Sequence, residues 1–181
     1  MRFSSGRPQH GEFAEYARPD IDEVRGDDAV AALRAQLEEV LALLSPIPEA
    51  VASTLTYAPG KWILKQVVGH LADDERIMQY RVLCVARGDA TALPGFDETL
   101  YVENGGFEDR SFANLLAEYR GVRHASLALF ETFSPVAWVR RGNVNGYPAS
   151  ARGLAFHIAG HELHHLRILR EKYLPGYLAE G

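Results

Sequence analysis

The chain has almost no cysteine and no long hydrophobic run, and each absence excludes a class of protein. Cys84 is the single cysteine among 181 residues, which excludes an intrachain disulfide and a metal site built from cysteine thiolates. No stretch approaches the roughly 18 consecutive apolar residues of a membrane-spanning helix. The first residues, MRFSSGRPQHGEF, lack the apolar segment of a secretory signal. We therefore expect a cytoplasmic protein with no membrane partner.

A strong excess of charge of one sign is also missing. The chain has 19 basic side chains against 24 acidic ones, and its net charge is −5. A weakly acidic chain lacks the basic surface with which proteins bind nucleic acid, so we expect no nucleic-acid partner. Hydrophobic residues make up 47% and charged residues 24%. This composition is typical of a globular protein rather than a disordered or fibrous one.

Four segments carry the hydrophobic periodicity of amphipathic helices. Apolar residues recur in them at spacings of three and four, which places these side chains on one helix face. The predicted helices span about 27–45, 63–87, 111–133 and 150–173. Four such helices in one domain predict an all-α, up-down-type four-helix bundle over residues 27–175. Residues 1–26 are predicted to form a polar N-terminal arm, and residues 176–181 a C-terminal tail.

Two connections between these helices have a distinctive sequence. Residues 88–110 are rich in glycine, aspartate and aromatic residues, and a connection of this length in a compact domain is usually a crossover or a functional lid. The candidate lid residues in this segment are Phe96, Tyr101 and Asn104. Before the last helix, the turn signal Asn145-Gly146 predicts a short hairpin within residues 138–147.

The histidines are concentrated on the fourth predicted helix. The segment HIAGHELHH holds four of the seven, which are His157, His161, His164 and His165. At about 100° per residue, His161 and His165 lie in the middle of the apolar arc, and the other two lie at its edges. A divalent metal would satisfy both central imidazoles at once, because a spacing of four brings two ring nitrogens to one ion. The alternative is a pair of core histidines bonded to backbone or carboxylate groups, since an unpartnered buried polar group costs about 1–3 kcal/mol.

A third ligand would have to come from another part of the chain. His157 and His165 are eight residues apart, about 12 Å along the helix axis. That is too far for both to bind one ion at about 2.1 Å. Of the remaining histidines, His10 lies in the arm and His124 is expected to be exposed, whereas His70 lies beside the apolar arc of the second helix. His70 is the best candidate and predicts a three-histidine site with an open position, where a bound water can be acidified towards neutral pH.

The same helix contains a literal H-E-x-x-H, the metalloprotease signature, from His161 to His165. In that signature Glu162 would be the general base. Only 16 residues follow His165, which leaves little chain for the usual downstream ligand, and a helical protein offers no obvious strand to hold an extended peptide. We therefore disfavour peptidase activity and expect Glu162 to be a carboxylate on the helix surface. A role for Glu162 as a base or as a partner of a metal ligand is the alternative.

Three stretches resemble the DinB-like (DinB/YfiT) superfamily: YAPGKWILKQVVGHLADDERIMQYR, ARGDATALPGFDETLYV and FHIAGHELHHLRILREKYL. The resemblance covers roughly residues 56–174 and implies a four-helix bundle with a long crossover connection, commonly a homodimer. It also implies a metal bound by one histidine of the second helix and by two from an H-x-x-x-H on the last. In this chain those residues are His70, His161 and His165. The positions of the histidines on their helical wheels indicate the same three residues independently.

One position departs from the family pattern. Ile63 stands where relatives often carry serine, and Gln66 stands where they often carry glutamate. The capping box that opens the second helix therefore lacks its first member. This departure affects the start of the helix and not the predicted site.

Several other polar residues are candidates for supporting roles. Asp74 and Glu75 follow His70 by about one turn, and either could orient a ligand imidazole. We favour instead a buried or half-buried ion pair with an arginine, and the candidate partners are Arg76, Arg81 and Arg167. The candidates for residues beside the ligands or in a pocket are His157, Glu75, Glu162 and Tyr101.

The expected function is that of a metal-dependent enzyme acting on a small molecule. The resemblance implies two competing chemistries: transfer of a low-molecular-weight thiol to an electrophile, or hydrolysis by water activated at the metal. We expect zinc or nickel, although a histidine ligand set does not choose between borderline metals. The alternative is a non-catalytic metal- or ligand-binding protein of the stress response. An exchangeable water facing a pocket would favour catalysis, and a fourth protein ligand would favour the alternative.

Overall fold

Helices dominate the computed structural model, which describes residues 3–179. In chain order the helices are α1 (Arg18–Glu23), α2 (Ala29–Leu44), α3 (Glu49–Ala52), α4 (Leu64–Arg87), α5 (Glu98–Asn104), α6 (Phe112–Phe130), α7 (Pro135–Val139), α8 (Ala151–Ile168) and α9 (Leu174–Ala179). The four long ones, α2, α4, α6 and α8, form the predicted bundle. The outermost residues of the predicted arm and tail, 1–2 and 180–181, lie outside the described range.

Each long helix lies within its predicted segment because the local start and stop signals are effective. The side chains of Asp28, Ser111 and Ser150 accept hydrogen bonds from backbone amides at the starts of α2, α6 and α8. Gly88 ends α4 with a φ of 80°, a left-handed conformation that glycine adopts without steric cost. After α8, residues Leu169–Tyr173 form a π-helical turn. The predicted fourth helix therefore changes its hydrogen-bonding pattern over its last five residues.

The missing serine at position 63 does not delay the start of α4. The Ile63 amide donates to Gln66 Oε1 at 2.9 Å. Because the isoleucine side chain has no acceptor, only this half of the capping box is made. Burial of Leu64 and Val67 against the core holds the first turn in place.

The core lies between the long helices. α4 packs against both α6 and α8, and α2 contacts the same two helices. Apolar side chains fill this space. The contact between α4 and α8 contains the three histidines predicted to bind a metal. None of the helices within residues 3–179 combines the length and apolarity needed to cross a membrane.

The N-terminal segment folds onto α8, which the prediction of a polar arm did not anticipate. A 3₁₀ turn (Glu15–Ala17) leads into α1, and this segment buries Phe13, Ile21 and Val24. The side chain of Glu12 is also buried and bonds the guanidinium of Arg152 at 2.7 and 3.0 Å. The few apolar residues of this segment are too widely spaced to give a clear periodic pattern.

The two connections contain short elements. α5 and a 3₁₀ turn (Phe107–Asp109) lie within residues 88–110, where no regular structure was predicted. The predicted hairpin is confirmed, with β1 (Arg141–Val144) paired antiparallel to β2 (Tyr147–Ser150). Asn145 and Gly146 form its turn with φ values of 53° and 81°, as the favoured two-residue hairpin turn requires. The second strand extends three residues beyond the predicted segment.

Candidate metal centre

Three histidines from two helices converge at the contact between α4 and α8. His70 comes from α4, and His161 and His165 come from successive turns of α8. The Nε2 atom of His161 lies 3.2 Å from Nε2 of His70 and 3.1 Å from Nε2 of His165. The three ligand atoms all lie within 4.8 Å of one another. The structure thus brings together the three residues predicted to bind the metal.

The arrangement fits a divalent ion. Three nitrogens at about 2.1 Å from a tetrahedral ion lie about 3.4 Å apart, close to the two separations between Nε2 atoms. Without an ion, these contacts could be hydrogen bonds only if one nitrogen of each pair carried a proton and the other accepted it. Among residues 3–179 no fourth ligand atom joins this group, so a bound ion would keep an open position.

Burial keeps two of these imidazoles neutral, the form that binds metal. Removal from water lowers the pKa of His70 to about 4. The same cause, with a smaller effect of nearby His161, places the pKa of His165 well below its ordinary value. For His161, burial lowers the pKa but the Asp74 carboxylate outweighs this effect, and the pKa is raised.

Asp74 orients the central histidine. Its Oδ2 lies 3.2 Å from Nδ1 of His161, and both side chains are mostly buried. A proton held on Nδ1 by this carboxylate leaves the lone pair of Nε2 directed at the cluster. The favoured ion pair of Asp74 with an arginine is therefore wrong, and the alternative that it orients a ligand imidazole describes the structure. Burial raises the pKa of Asp74, but His161 overcomes this and lowers it below its ordinary value.

The neighbouring carboxylates face away from the histidines, into the core. Glu75 and Glu162 both bond Arg123, which is fully buried on α6. Arg123 also donates to the Leu33 carbonyl at 2.8 Å, and Tyr119 donates to Glu162 Oε1 at 3.0 Å. Burial raises the pKa of Glu162, although Arg123 acts against this.

Two predictions about these carboxylates are corrected by this network. Glu162 is 2% exposed, so its expected place on the helix surface is wrong. Its bonds to Arg123 and Tyr119 also remove it from the role of a peptidase base. Glu75 does form a buried ion pair, but its partner is Arg123 rather than the arginines considered from the sequence.

The remaining candidates lie around the cluster but outside it. His157 is half-buried with its ring 6.1 Å from that of Tyr16, and burial lowers its pKa. Tyr101 is 43% exposed and packs its ring against Phe96 at 5.2 Å. His124 is exposed, as expected.

A pocket of about 490 Å³ adjoins the cluster. Its lining includes His165 itself and the side chains of Tyr57, Trp62, Val67, Leu169 and Tyr173. From the predicted lid, Glu98 and Thr99 face it rather than Tyr101. A larger groove of about 900 Å³ lies between α2 and the end of α8, but none of the three clustered histidines lines it. We therefore take the smaller pocket as the one joined to the metal chemistry.

The aromatic residues of this pocket were not predicted from the sequence to have a role. Trp62 packs against His70 with ring centroids 4.9 Å apart and planes tilted by 47°, and the ring centroids of Tyr57 and Tyr173 lie 5.1 Å apart. The sequence contains one signal for them, the segment TYAPGKW directly before α4. In this segment Tyr57 and Trp62 flank the pair Pro59-Gly60, close to the start of the helix that contains His70.

Comparison with known proteins agrees with this fold. A profile of the DinB superfamily matches residues 32–169. The solved structure of YfiT from Bacillus subtilis is similar, with a TM-score of 0.68 and 19% sequence identity over 91% of this chain and 89% of that one. YfiT is described as a probable metal-dependent hydrolase with an unusual four-helix bundle topology; at this identity the similarity establishes the fold alone. None of the curated proteins compared with the chain matches it. Because the matching profile spans well over half of the residues, the chain belongs to the DinB superfamily.

Proposed function

We propose that this protein is a metal-dependent hydrolase of a small molecule, with a divalent cation, zinc or nickel, held by His70, His161 and His165. The observation that carries the proposal is the convergence of three Nε2 atoms beside a pocket of about 490 Å³. Pockets of this size are typical of small-molecule sites. The description of YfiT as a probable metal-dependent hydrolase supports the same reaction class.

The reaction is the cleavage of an acyl bond by water. The water oxygen bonds to the carbonyl carbon, the bond from that carbon to the leaving group breaks, and a proton from the water goes to the leaving group. A bound divalent cation supplies a Lewis acid that polarises the carbonyl and lowers the pKa of water. Asp74 holds His161 in the tautomer that binds the cation, and the buried surroundings of His70 keep its imidazole neutral.

Metal content tests the proposal. The protein would be purified without a histidine tag or chelator, and its metal measured by elemental mass spectrometry. We expect about one ion per chain in the wild type, none in His161→Ala, and one in the matched control His124→Ala, whose imidazole is exposed and is not part of the cluster. A folded wild type that stays empty after incubation with zinc and nickel would overturn the proposal and leave a non-catalytic role for the histidines.

Thiol transfer is the second reaction that the family resemblance implies, and it would use the same site. The pocket, whose lining includes His165, is large enough to admit a low-molecular-weight thiol. Each metal form would be assayed with a panel of amides and esters, and separately with thiols and an electrophile. Turnover of the first panel that disappears in His161→Ala supports hydrolysis, and turnover that requires a thiol supports transfer. A homodimer remains a prediction from the same resemblance.

A further inference from the structure

The pocket beside the histidines has an aromatic wall. Tyr173 lies on the π-helical turn, and its hydroxyl donates to the Trp62 carbonyl at 2.7 Å. Its ring meets that of Tyr57 edge to face, and the Trp62 ring rests against His70. A π-helical turn within a long helix often marks a functional site, because it changes the direction of the side chains that follow. Here the turn ends at Tyr173, whose hydrogen bond to Trp62 connects it to the segment before α4.

The pocket is apolar inside and polar outside. Val67 and Leu169 are buried apolar side chains in its lining. Lys61, Glu98 and Thr99 are exposed and line the same pocket. A ligand would therefore meet rings and aliphatic groups within the pocket and polar groups where the pocket meets water.

We propose that the substrate carries a planar, unsaturated ring next to the group that reaches the cation. The ring lies in the pocket against Trp62, Tyr57 and Tyr173, and the polar leaving group extends towards Glu98 and Thr99. Aromatic walls prefer such a ring, because stacked and edge-to-face contacts add to the gain from burying its surface. This substrate class, an amide or ester of an aromatic carboxylic acid, rests on the proposed function, since it requires a cation at the histidines.

Two hydroxamates that differ only in their acyl part test the inference without an activity assay. The protein would be loaded with Co²⁺, whose visible spectrum reports coordination by the histidines, and titrated with acetohydroxamate and benzohydroxamate. Both probes present the same chelating group, so the part of the difference in affinity that depends on Tyr57 reflects contact with the methyl or the phenyl group. We expect benzohydroxamate to bind at least about tenfold more tightly.

Variants of Tyr57 separate the aromatic wall from the chelating group. Tyr57→Leu should bring the preference for benzohydroxamate below about threefold, and Tyr57→Phe should retain it, because the ring supplies the contact. Tyr80→Leu is the matched control, since Tyr80 is an exposed tyrosine of α4 outside the pocket. Equal affinities for the two probes, or a preference unchanged in Tyr57→Leu, would overturn the inference and leave the proposed function intact. A wild type with no histidine-dependent Co²⁺ spectrum would overturn the proposed function itself.

Discussion

On α4 and on α8, two consecutive side chains point to different partners. Asp74 pairs with His161 at the histidine cluster, whereas Glu75 and Glu162 turn to Arg123 in the core. The buried network therefore restricts the rotation of both helices about their axes. That restriction places Asp74 opposite His161. It also brings the Nε2 atoms of the three clustered histidines close to one another.

Asp74 is predicted to strengthen metal binding through His161. Asp74→Ala should weaken the affinity about 10–100-fold, because the imidazole loses the partner that fixes its tautomer and orientation. Asp74→Asn, which keeps an acceptor but not the charge, should give an intermediate loss. Competition with a chromophoric chelator measures the change, and Asp73→Ala is the control because Asp73 bonds Arg76 instead. An affinity unchanged in Asp74→Ala would contradict this assignment.

Arg123 is predicted to be the most sensitive charged residue for stability. Arg123→Met leaves the buried carboxylates of Glu75 and Glu162 without their cation and should cost about 3–5 kcal/mol in the free energy of unfolding. Urea denaturation measures this change in the free energy of unfolding. Arg120→Met, an exposed arginine on the same helix, should change stability by less than about 0.5 kcal/mol. Neutralising the carboxylates as well, with Glu75→Gln and Glu162→Gln, should recover part of the loss.

Among the elements, α8 has two glycines that allow the N-terminal segment to pack closely against it. A Cβ at Gly153 would lie 2.0 Å from the Glu12 carbonyl oxygen, and one at Gly160 would lie 2.5 Å from the carbonyl of Asp20. Both contacts are with backbone, which cannot turn aside as a flexible side chain does. Close approach of two backbones is the reason for glycine at these positions. Asp20 on α1 in turn reaches to 3.5 Å from His164, beside the cluster.

The same substitution at two glycines should have opposite effects. Gly160→Ala should destabilise the protein by about 1–3 kcal/mol, because α1 has to move away from α8. Gly121→Ala should stabilise it by about 0.5–1 kcal/mol, since a Cβ there meets nothing within 4 Å and alanine favours the helix. Thermal unfolding of the two variants beside the wild type measures both. Stabilisation by both substitutions would mean that α1 does not pack closely on Gly160.

For the whole molecule, a metal at this site would join α4 to α8 across the core. Its ligands come from positions 91 residues apart, and the site exists only when the helices are in register. Because an ion that binds only the folded state stabilises it, metal binding at this site would be coupled to folding. The pocket has the same dependence, since it lies between the segment before α4, the start of α5 and the end of α8.

Metal removal should therefore lower the melting temperature. At a free metal concentration of 100 times Kd the stabilisation is about 2.7 kcal/mol. For a chain of this size that corresponds to roughly 5–10 °C. Thermal scans with added zinc or nickel and with a chelator measure the difference, and His161→Ala should show none. An equal shift in His161→Ala would locate the stabilising ion elsewhere.

The four long helices, the hairpin and the spacing of His161 and His165 were predictable because each depends on residues that are near one another in the chain. Caps such as Ser111 and Ser150, the end at Gly88 and the Asn145-Gly146 turn act through local hydrogen bonds and backbone preferences. The same holds for the choice of His70, because its position beside the apolar arc of its own helix directs it to the core.

The tertiary structure decided which polar groups meet across the helices. Asp74 pairs with His161 rather than an arginine, and Glu162 is buried rather than exposed, because the rotation of α4 and α8 is set by packing along their whole length. Arg123, on a third helix, could be matched with its carboxylates only once that packing was known. The pocket, too, is formed by segments far apart in the chain, and its shape depends on distances that no local pattern encodes.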